Sequence, residues 1–505
     1  MGRCARALGT TAMWCMLVAT LCAGASAPSI ATVNSGQMFL PPYLRPADRM
    51  GFDVAYTGVD TVDVATLGAG WYGDWRTQEL PAQPASLTYV QLVRLQAGAD
   101  PSDPDQVTTL PSAEEIAQIA QRHPGSLWMI GNEPDSYYHG APLLPAVYAH
   151  TYQRVAGIIR QADPDALLAN GALVQPTPCR LAYLGIVWNT YLATYGERMP
   201  VDVWNMHGFI LREVYGEYGA STPPGVPKSC GIDYATRDAD NLGILNTNIR
   251  RLRQWLADHG EREKPLIISE YGILWPYRPD YIFRDEDGRD FSPARVIAYM
   301  TGSFDLFLTE TDPATGYSAD DNRLVQAFAW YSLADDQQYN GHLFSSESKA
   351  ISPMGQAYAD YAAALPDPAL PDLSIRLTVD TSALDSMDPL EPGETVAVDL
   401  PAAGQMANLG RVAVEDAAIS CPELGYETTV DLAGRYEPGS TVVLPLPPYL
   451  LTAAGLHEVT CTVDPEAHTT DGRRWNNQAT AMVDARLLLS DGYRVYLPQI
   501  HPGSP

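Results

Sequence analysis

The sequence predicts an α/β fold, a (β/α)8 TIM barrel followed by a smaller antiparallel β-sandwich. Three observations predict it. Between Met50 and Ala364, short apolar runs alternate with helix-like segments, the pattern of a parallel sheet covered by helices. Two of those runs end on a carboxylate, Glu133 in SLWMIGNEPD (Ser126 to Asp135) and Glu270 in PLIISEYG (Pro265 to Gly272). Past the proline-punctuated LPDPALPD, Leu365 to Asp372, the pattern changes to two-residue alternation, which reads as strands of a sandwich.

The first 27 residues read as a secretory signal, with Arg3 and Arg6 at the positive end, Leu8 to Leu21 as the apolar middle and Ala25-Ser26-Ala27 as the cleavage site. Gly9, Thr10 and Thr11 interrupt the apolar run, which falls short of the roughly 20 residues a span needs. The expectation is a secreted protein with no stable membrane insertion. At 505 residues the chain is too long for one ordinary core. Its formal charge of −28 repels phosphate backbones and argues against nucleic acid and anionic membranes as partners. Of seven cysteines, Cys179, Cys230, Cys421 and Cys461 lie beyond the leader. None sits in a Cys-x-x-Cys pair, so metal ligation is not expected. In an oxidising compartment one bridge per domain is expected, Cys179 with Cys230 and Cys421 with Cys461; buried free thiols are the other reading.

Residues 28–364 are expected to form the barrel. Pro28 to Arg49 lacks periodicity and reads as an irregular leader packed along it. Strand-like runs follow at Met50 to Tyr56, Thr66 to Trp71, Thr88 to Leu95, the run before Glu133, Leu167 to Leu173, Val201 to His207, Leu266 to Glu270 and Val325 to Tyr331. Helices are predicted at Ser112 to Arg122, with Ser112 as cap and Glu115 three residues on, at Tyr148 to Ala162 and at Ser352 to Ala364. Thr61 to Ala69 is too short to hold a full helix between its flanking strands. Two long insertions, Ile210 to Asp238 and Leu274 to Pro293, follow strands on the side where such barrels collect catalytic groups, and carry aromatics, among them Trp275, Tyr277, Tyr281 and Phe283, that stack on sugars or anchor the loops. Residues 365–372 form a linker, 373–485 the sandwich, with strands at Leu373 to Val379, Glu394 to Asp399, Arg411 to Ala418, Ser440 to Leu446, His457 to Val463 and Gln478 to Val483, and 486–505 a tail.

The chemistry rests on the two glutamates. They lie far enough apart in sequence to reach one cleft from different strands. Carboxyls about 5 Å apart would split the work of retaining glycoside hydrolysis, and about 6.5 to 9.5 Å would imply inversion. There is no phosphate-cradling Gly-rich loop, no histidine pair at metal spacing and no GxSxG elbow. RDEDGRD, Arg284 to Asp290, lacks the twelve-residue calcium pattern. No metal or organic cofactor is expected. His207, closing VDVWNMH, either hydrogen-bonds a sugar or Glu270 or is structural. Arg94, charged within a buried-strand pattern, needs a partner, in the cleft or at the barrel bottom. Trp71 and Trp75 read as stacking platforms or packing.

NEP closing one strand and SEYG closing a later one resemble the clan A glycoside hydrolases, retaining (β/α)8 enzymes, over roughly Gly51 to Leu365. GWYGDW (Gly70 to Trp75), NEPD (Asn132 to Asp135) and HGF (His207 to Phe209) are similar to the short-barrel β-1,3-glucanases of family 128, which carry an aromatic where this chain has Gly208 and a tyrosine where it has Phe209. The resemblance implies Glu133 as acid/base, Glu270 as nucleophile, Asn132 on the sugar 2-hydroxyl, and a β-glucan polysaccharide or its oligosaccharides as substrate. It implies that Trp330 lies beneath the sugar in the bond-cleaving subsite, a core tryptophan being the other reading. The C-terminal part resembles the adhesion-type immunoglobulin-like modules of bacterial secreted proteins, through Pro392-Gly393, Asn408 to Gly410, Gly455 to Val459 and Asn476-Asn477, which implies architecture more than activity and leaves cell-surface contact as an open role for the sandwich. The rival reading is a non-catalytic carbohydrate-binding or adhesion protein on an inactive barrel: Phe209 favours it, and the retention of both glutamates opposes it.

Overall fold

Eight short strands carry the first part of the chain in a computed structural model: β1 (Met50–Asp53), β2 (Trp71–Gly73), β3 (Gln91–Gln96), β4 (Leu127–Asn132), β5 (Leu167–Ala172), β6 (Trp204–His207), β7 (Leu266–Tyr271) and β8 (Ala327–Trp330). The structure describes residues 29–485 except 31–34, 42, 44, 56, 83, 85–86, 139–141, 388–394, 445, 470 and 473. The expected signal, the tail and the Pro392-Gly393 turn lie outside the described residues.

The strands form two parallel sheets. One runs β2, β1, β8, β7, β6, with Thr88–Tyr89 paired outside β2; the other runs β3, β4, β5, with Thr108–Leu110 antiparallel on its edge. Only Val90 separates Thr88–Tyr89 from β3. On the far side, parallel bridges Ala169 to Val203 and Leu173 to Met206 link β5 to β6. Strand alternation sorts the side chains. Leu92, Met129, Ala169, Val203, Ile267, Ala327 and Ala329 gather in one inner cluster, while Val93, Ile130, Ile268, Phe328 and Trp330 join the core shared with the helices.

The helices are α1 (Ala113–Arg122), α2 (Pro145–Ala162), α3 (Pro178–Tyr195), α4 (Leu242–Asp258), α5 (Pro293–Thr309) and α6 (Pro353–Ala364). Caps read from sequence are present. Ser112 and Glu115 make a reciprocal capping box at α1, and Ser352 accepts from Gly355 N at α6, with Pro353 in the first turn. One strand differs from expectation. Residues predicted as a strand from Thr66 instead form a 3-10 turn, Val64–Leu67, closed by Gly68 at φ 65°, and β2 begins only at Trp71. Apolar spacing in so short a connection does not separate a turn from a strand.

The C-terminal part holds two four-stranded antiparallel sheets over one core. The first contains β9 (Leu373–Val379), β10 (Ala402–Asn408) and β13 (Thr441–Leu444); the second contains β11 (Val414–Cys421), β12 (Tyr426–Tyr436), β14 (Leu456–Val463) and β15 (Gln478–Asp484). β10 and β12 were not anticipated, and β11 starts three residues beyond the expected Arg411. The fourth strand of the first sheet is Ser29–Ile30, paired on Thr378 and Val379. This corrects the expectation for Pro28 to Arg49: the leader begins on the C-terminal sheet and only then reaches the inner cluster through Met38 and Phe39. Arg45 fixes the crossing by ion pairs to Asp367 and Asp372. Disulfides join Cys179 to Cys230 and Cys421 to Cys461.

Candidate active site

The carboxyl ends of β4, β6, β7 and β8 meet in an open cleft of about 920 Å³. Glu133 enters it from just past β4. Gly131 (φ 93°) turns the chain, and Glu133 itself sits at φ 41°, a conformation that costs a non-glycine residue about 1 to 3 kcal/mol. Ser136 N to Glu133 O and Leu143 N to Pro134 O, both 2.9 Å, hold this turn. Glu133 is 4% exposed.

Opposite it, an irregularity between Ile268 and Glu270 in the β6–β7 register brings Glu270 level with His207. The imidazole joins the two carboxylates. His207 Nδ1 lies 2.9 Å from Glu133 Oε1, and Nε2 lies 3.6 Å from Glu270 Oε2. The Trp75 indole N–H donates to the same Glu270 oxygen at 2.9 Å. Burial pushes Glu270 up, Glu133 adds to the rise, and His207 and the Trp75 donor pull it down, leaving it at about 7. For His207, burial favours the neutral ring, but Glu270 and Glu133 outweigh it and raise its pKa. The floor of the cleft is therefore one imidazole held between two carboxyl groups whose charges shift one another.

A third carboxyl lies beside it. Asp53, closing β1 and 3% exposed, is raised by its own burial, by Glu270 and by Asp74. Tyr331 forms a wall, its ring 5.8 Å from Trp75 and its hydroxyl donating to Asp335. Phe209 stands edge-on to His207 at 6.2 Å, in a small cluster with Ala55 and Tyr331.

A buried ion cluster holds the turn after Glu133. Arg180, fully buried in the first turn of α3, bonds Asp135, reaches Glu213 at 2.8 Å, and donates to Ala220 O and Ser221 O at 2.7 and 2.8 Å. Thr177, the α3 cap, donates to Glu213 at 2.9 Å. The Cys179–Cys230 bridge ties the same helix turn to the insertion after β6. One arginine thus links the Glu133 turn to the loop across the cleft.

Glu133, Glu270, Asn132 and Arg94 line the cleft, with His207 between the carboxylates. Arg94 lies on the inner face of β3, two residues past Leu92. It is exposed and its side chain makes no ion pair or hydrogen bond among the described residues, so the partner expected for a buried charge is not needed. Two tryptophans lie elsewhere. Trp71 is fully buried in the inner cluster at the start of β2, donating to Arg49 O at 3.2 Å against the edge of Phe39. Trp330 is fully buried on the helix side of β8, donating to Gly341 O at 2.7 Å and facing Tyr271. Strand parity explains the correction. Ala327 and Ala329 face inward, so Trp330 faces out, and the next residue, Tyr331, turns to the cleft. Trp275 stacks on Phe283 at 4.6 Å and anchors its loop, whereas Tyr281 is exposed. Asp53 was legible: MGFD is a third apolar run closing on a carboxylate. The Trp75 contact with Glu270 was not, because it depends on Trp75 at φ 56°.

Removing that donor has an expected result. With Glu270 as the nucleophile proposed below, the acid limb of kcat/KM reports its ionisation, so activity is expected to fall as pH drops below about 7. Trp75→Phe keeps the ring and loses the N–H, so the limb moves to higher pH and kcat falls roughly tenfold, about the value of one charge-assisted hydrogen bond. A pH–rate profile reads both. An unmoved limb would show that the indole only packs.

No family model matches the sequence, and no curated protein sequence matches it. The chain is similar to solved glycoside hydrolase structures. A family 128 endo-β-1,3-glucanase from Amycolatopsis mediterranei, in complex with laminaritriose, is 16% identical with TM-score 0.39 over 62% of this chain and 99% of that one. A family 128 endo-β-1,3-glucanase from Sorangium cellulosum is 17% identical with TM-score 0.36 over 62% and 98%. A monomeric β-xylosidase from Caulobacter crescentus is 12% identical with TM-score 0.41 over 87% and 96%.

Proposed function

We propose that this chain is a secreted retaining glycoside hydrolase that cleaves β-glycosidic bonds within a polysaccharide. The observation that carries the reading is the pair Glu133 and Glu270, arriving from two different strand ends at the two nitrogens of one buried imidazole in an open cleft. We read the eight strands as a (β/α)8 barrel; the support is the run of parallel pairs and the bridges between β5 and β6. The C-terminal sheets we read as an immunoglobulin-like sandwich suited to cell-surface contact. A β-glucan is favoured only through the resemblance of the NEPD and GWYGDW motifs to the family 128 β-1,3-glucanases.

In the first step Glu270 attacks the anomeric carbon while the carbon–oxygen bond to the leaving sugar breaks and Glu133 gives that oxygen its proton. In the second, Glu133 takes a proton from water, whose oxygen displaces Glu270. His207 fits both steps. As imidazolium it holds Glu270 anionic, and through Nδ1 it orients Glu133. The tyrosine expected at Phe209 is not required, because Trp75 and His207 supply donors to Glu270. This weighs against the inactive-barrel reading.

The test is release of reducing sugar from β-1,3-, β-1,4- and β-1,6-glucans, mannans and galactans, with Glu133→Ala and Glu270→Ala beside wild type. Activity on one polymer, lost in both variants, would establish the pair and name the substrate. Silence across the panel, with retention on a polysaccharide affinity gel, would leave the adhesion reading.

A further inference from the structure

Beyond the cleft, the turn after Glu133 and the two long insertions present tyrosines to solvent. Tyr137 is 43% exposed, Tyr215 44%, Tyr281 50% and Tyr218 71%. These rings are placed in order. Tyr137, directly after cleft-lining Ser136, meets Tyr215 edge-to-face at 6.4 Å. Tyr218, directly before cleft-lining Gly219 and Ala220, rests 5.8 Å from Trp275, which is stacked on Phe283 at 4.6 Å. Tyr281 lies close enough to Tyr218 to raise its phenol pKa, after burial.

The platform is fixed rather than free. Arg180 grips Ala220 O and Ser221 O, Ala220 N donates to Arg212 O at 2.7 Å, and Cys230 ties the loop to α3. Rings held in advance lose little entropy on binding. A solvated ring face with a hydroxyl at its edge suits a sugar, which offers an apolar C–H face and a polar rim. The ring hydroxyls, and Lys228 seated over the Tyr215 ring 3.9 Å from its centroid, break up the apolar patch that a protein partner would favour.

We propose that these rim tyrosines form a binding shelf for a glycan chain running out of the cleft, so that the enzyme acts within long chains and gains most of its polymer affinity outside the bond-cleaving point. This rests on the glycosidase reading. Continuity commits the occupant: Ser136, Gly219 and Ala220, the chain neighbours of Tyr137 and Tyr218, line the cleft itself.

The experiment compares wild type, Tyr218→Ala, Tyr137→Ala, the double variant and Tyr218→Phe in the full chain. Hydrolysis is measured on a soluble β-1,3-glucan and on laminaritriose, and migration is measured in gels cast with the same glucan. Each alanine is expected to lower kcat/KM on the polymer roughly tenfold more than on the trisaccharide and to weaken gel retardation, with Tyr218→Phe near wild type. Equal losses on both substrates, or none on the polymer, would overturn the shelf. Retardation that depends on Tyr218 in a wild-type chain that hydrolyses nothing would uphold the shelf and sink the glycosidase reading. Absence of both hydrolysis and retardation would overturn the shelf.

Discussion

Glu270→Ala is expected to lower kcat at least about ten-thousand-fold on the polysaccharide that wild type cleaves, since in the proposed mechanism Glu270 forms the glycosyl intermediate. Exposed polar groups of the cleft are untouched, so affinity for the polymer should persist. Small anions then distinguish the mechanism. With Glu270 truncated, azide enters the vacated volume and attacks the anomeric carbon directly, the leaving oxygen taking the Glu133 proton, and the glycosyl azide has inverted configuration. In Glu133→Ala, with an activated aryl leaving group that needs no proton, Glu270 attacks first and azide displaces it second, so the azide product is retained. Product configuration by NMR reads both. Wild-type hydrolysis that gives an inverted sugar as the first product, with no azide product from Glu133→Ala, would assign an inverting reaction instead.

The frame of this site was legible in the chain because its signals are local. Apolar runs that stop on Glu133 and Glu270 mark strand ends, and Ser112 with Glu115 marks a helix start, each decided by a handful of neighbouring residues. What failed depends on register or distance. Trp330 and Tyr331 differ by one position, and which of them reaches the cleft is decided by the parity of β8 within its sheet. Arg180 gives no sign in the sequence that it will be buried among Asp135, Glu213, Ala220 and Ser221, since these come from separate stretches of chain. Ser29–Ile30 joining β9 at Thr378 and Val379 is a contact across most of the described chain. In the C-terminal sheets, β10 (AAGQMAN) has too many small and polar residues to announce a strand.

Arg180→Met is expected to cost about 3 to 5 kcal/mol of stability at neutral pH, because it strands two carboxylates that have no water to turn to. The sign with pH follows from those acids. Burial raises Asp135 and Glu213 above their ordinary values even with Arg180 lowering them, so without it both rise further. Their neutral forms are tolerated in the fold and their charged forms are not. The deficit of the variant should therefore be largest above pH 7 and shrink as the acids protonate toward pH 4. Urea midpoints at pH 4 and pH 8 measure it, and an equal deficit at both would mean that lost packing dominates. Asp135→Asn with Glu213→Gln in the Arg180→Met background removes the stranded charges and should recover most of the stability. It should not recover the rate. Ala220 O, Ser221 O and the turn carrying Glu133 would still lack the donor that ties them together, so a folded triple variant with low kcat would separate what Arg180 does for stability from what it does for the placement of Glu133.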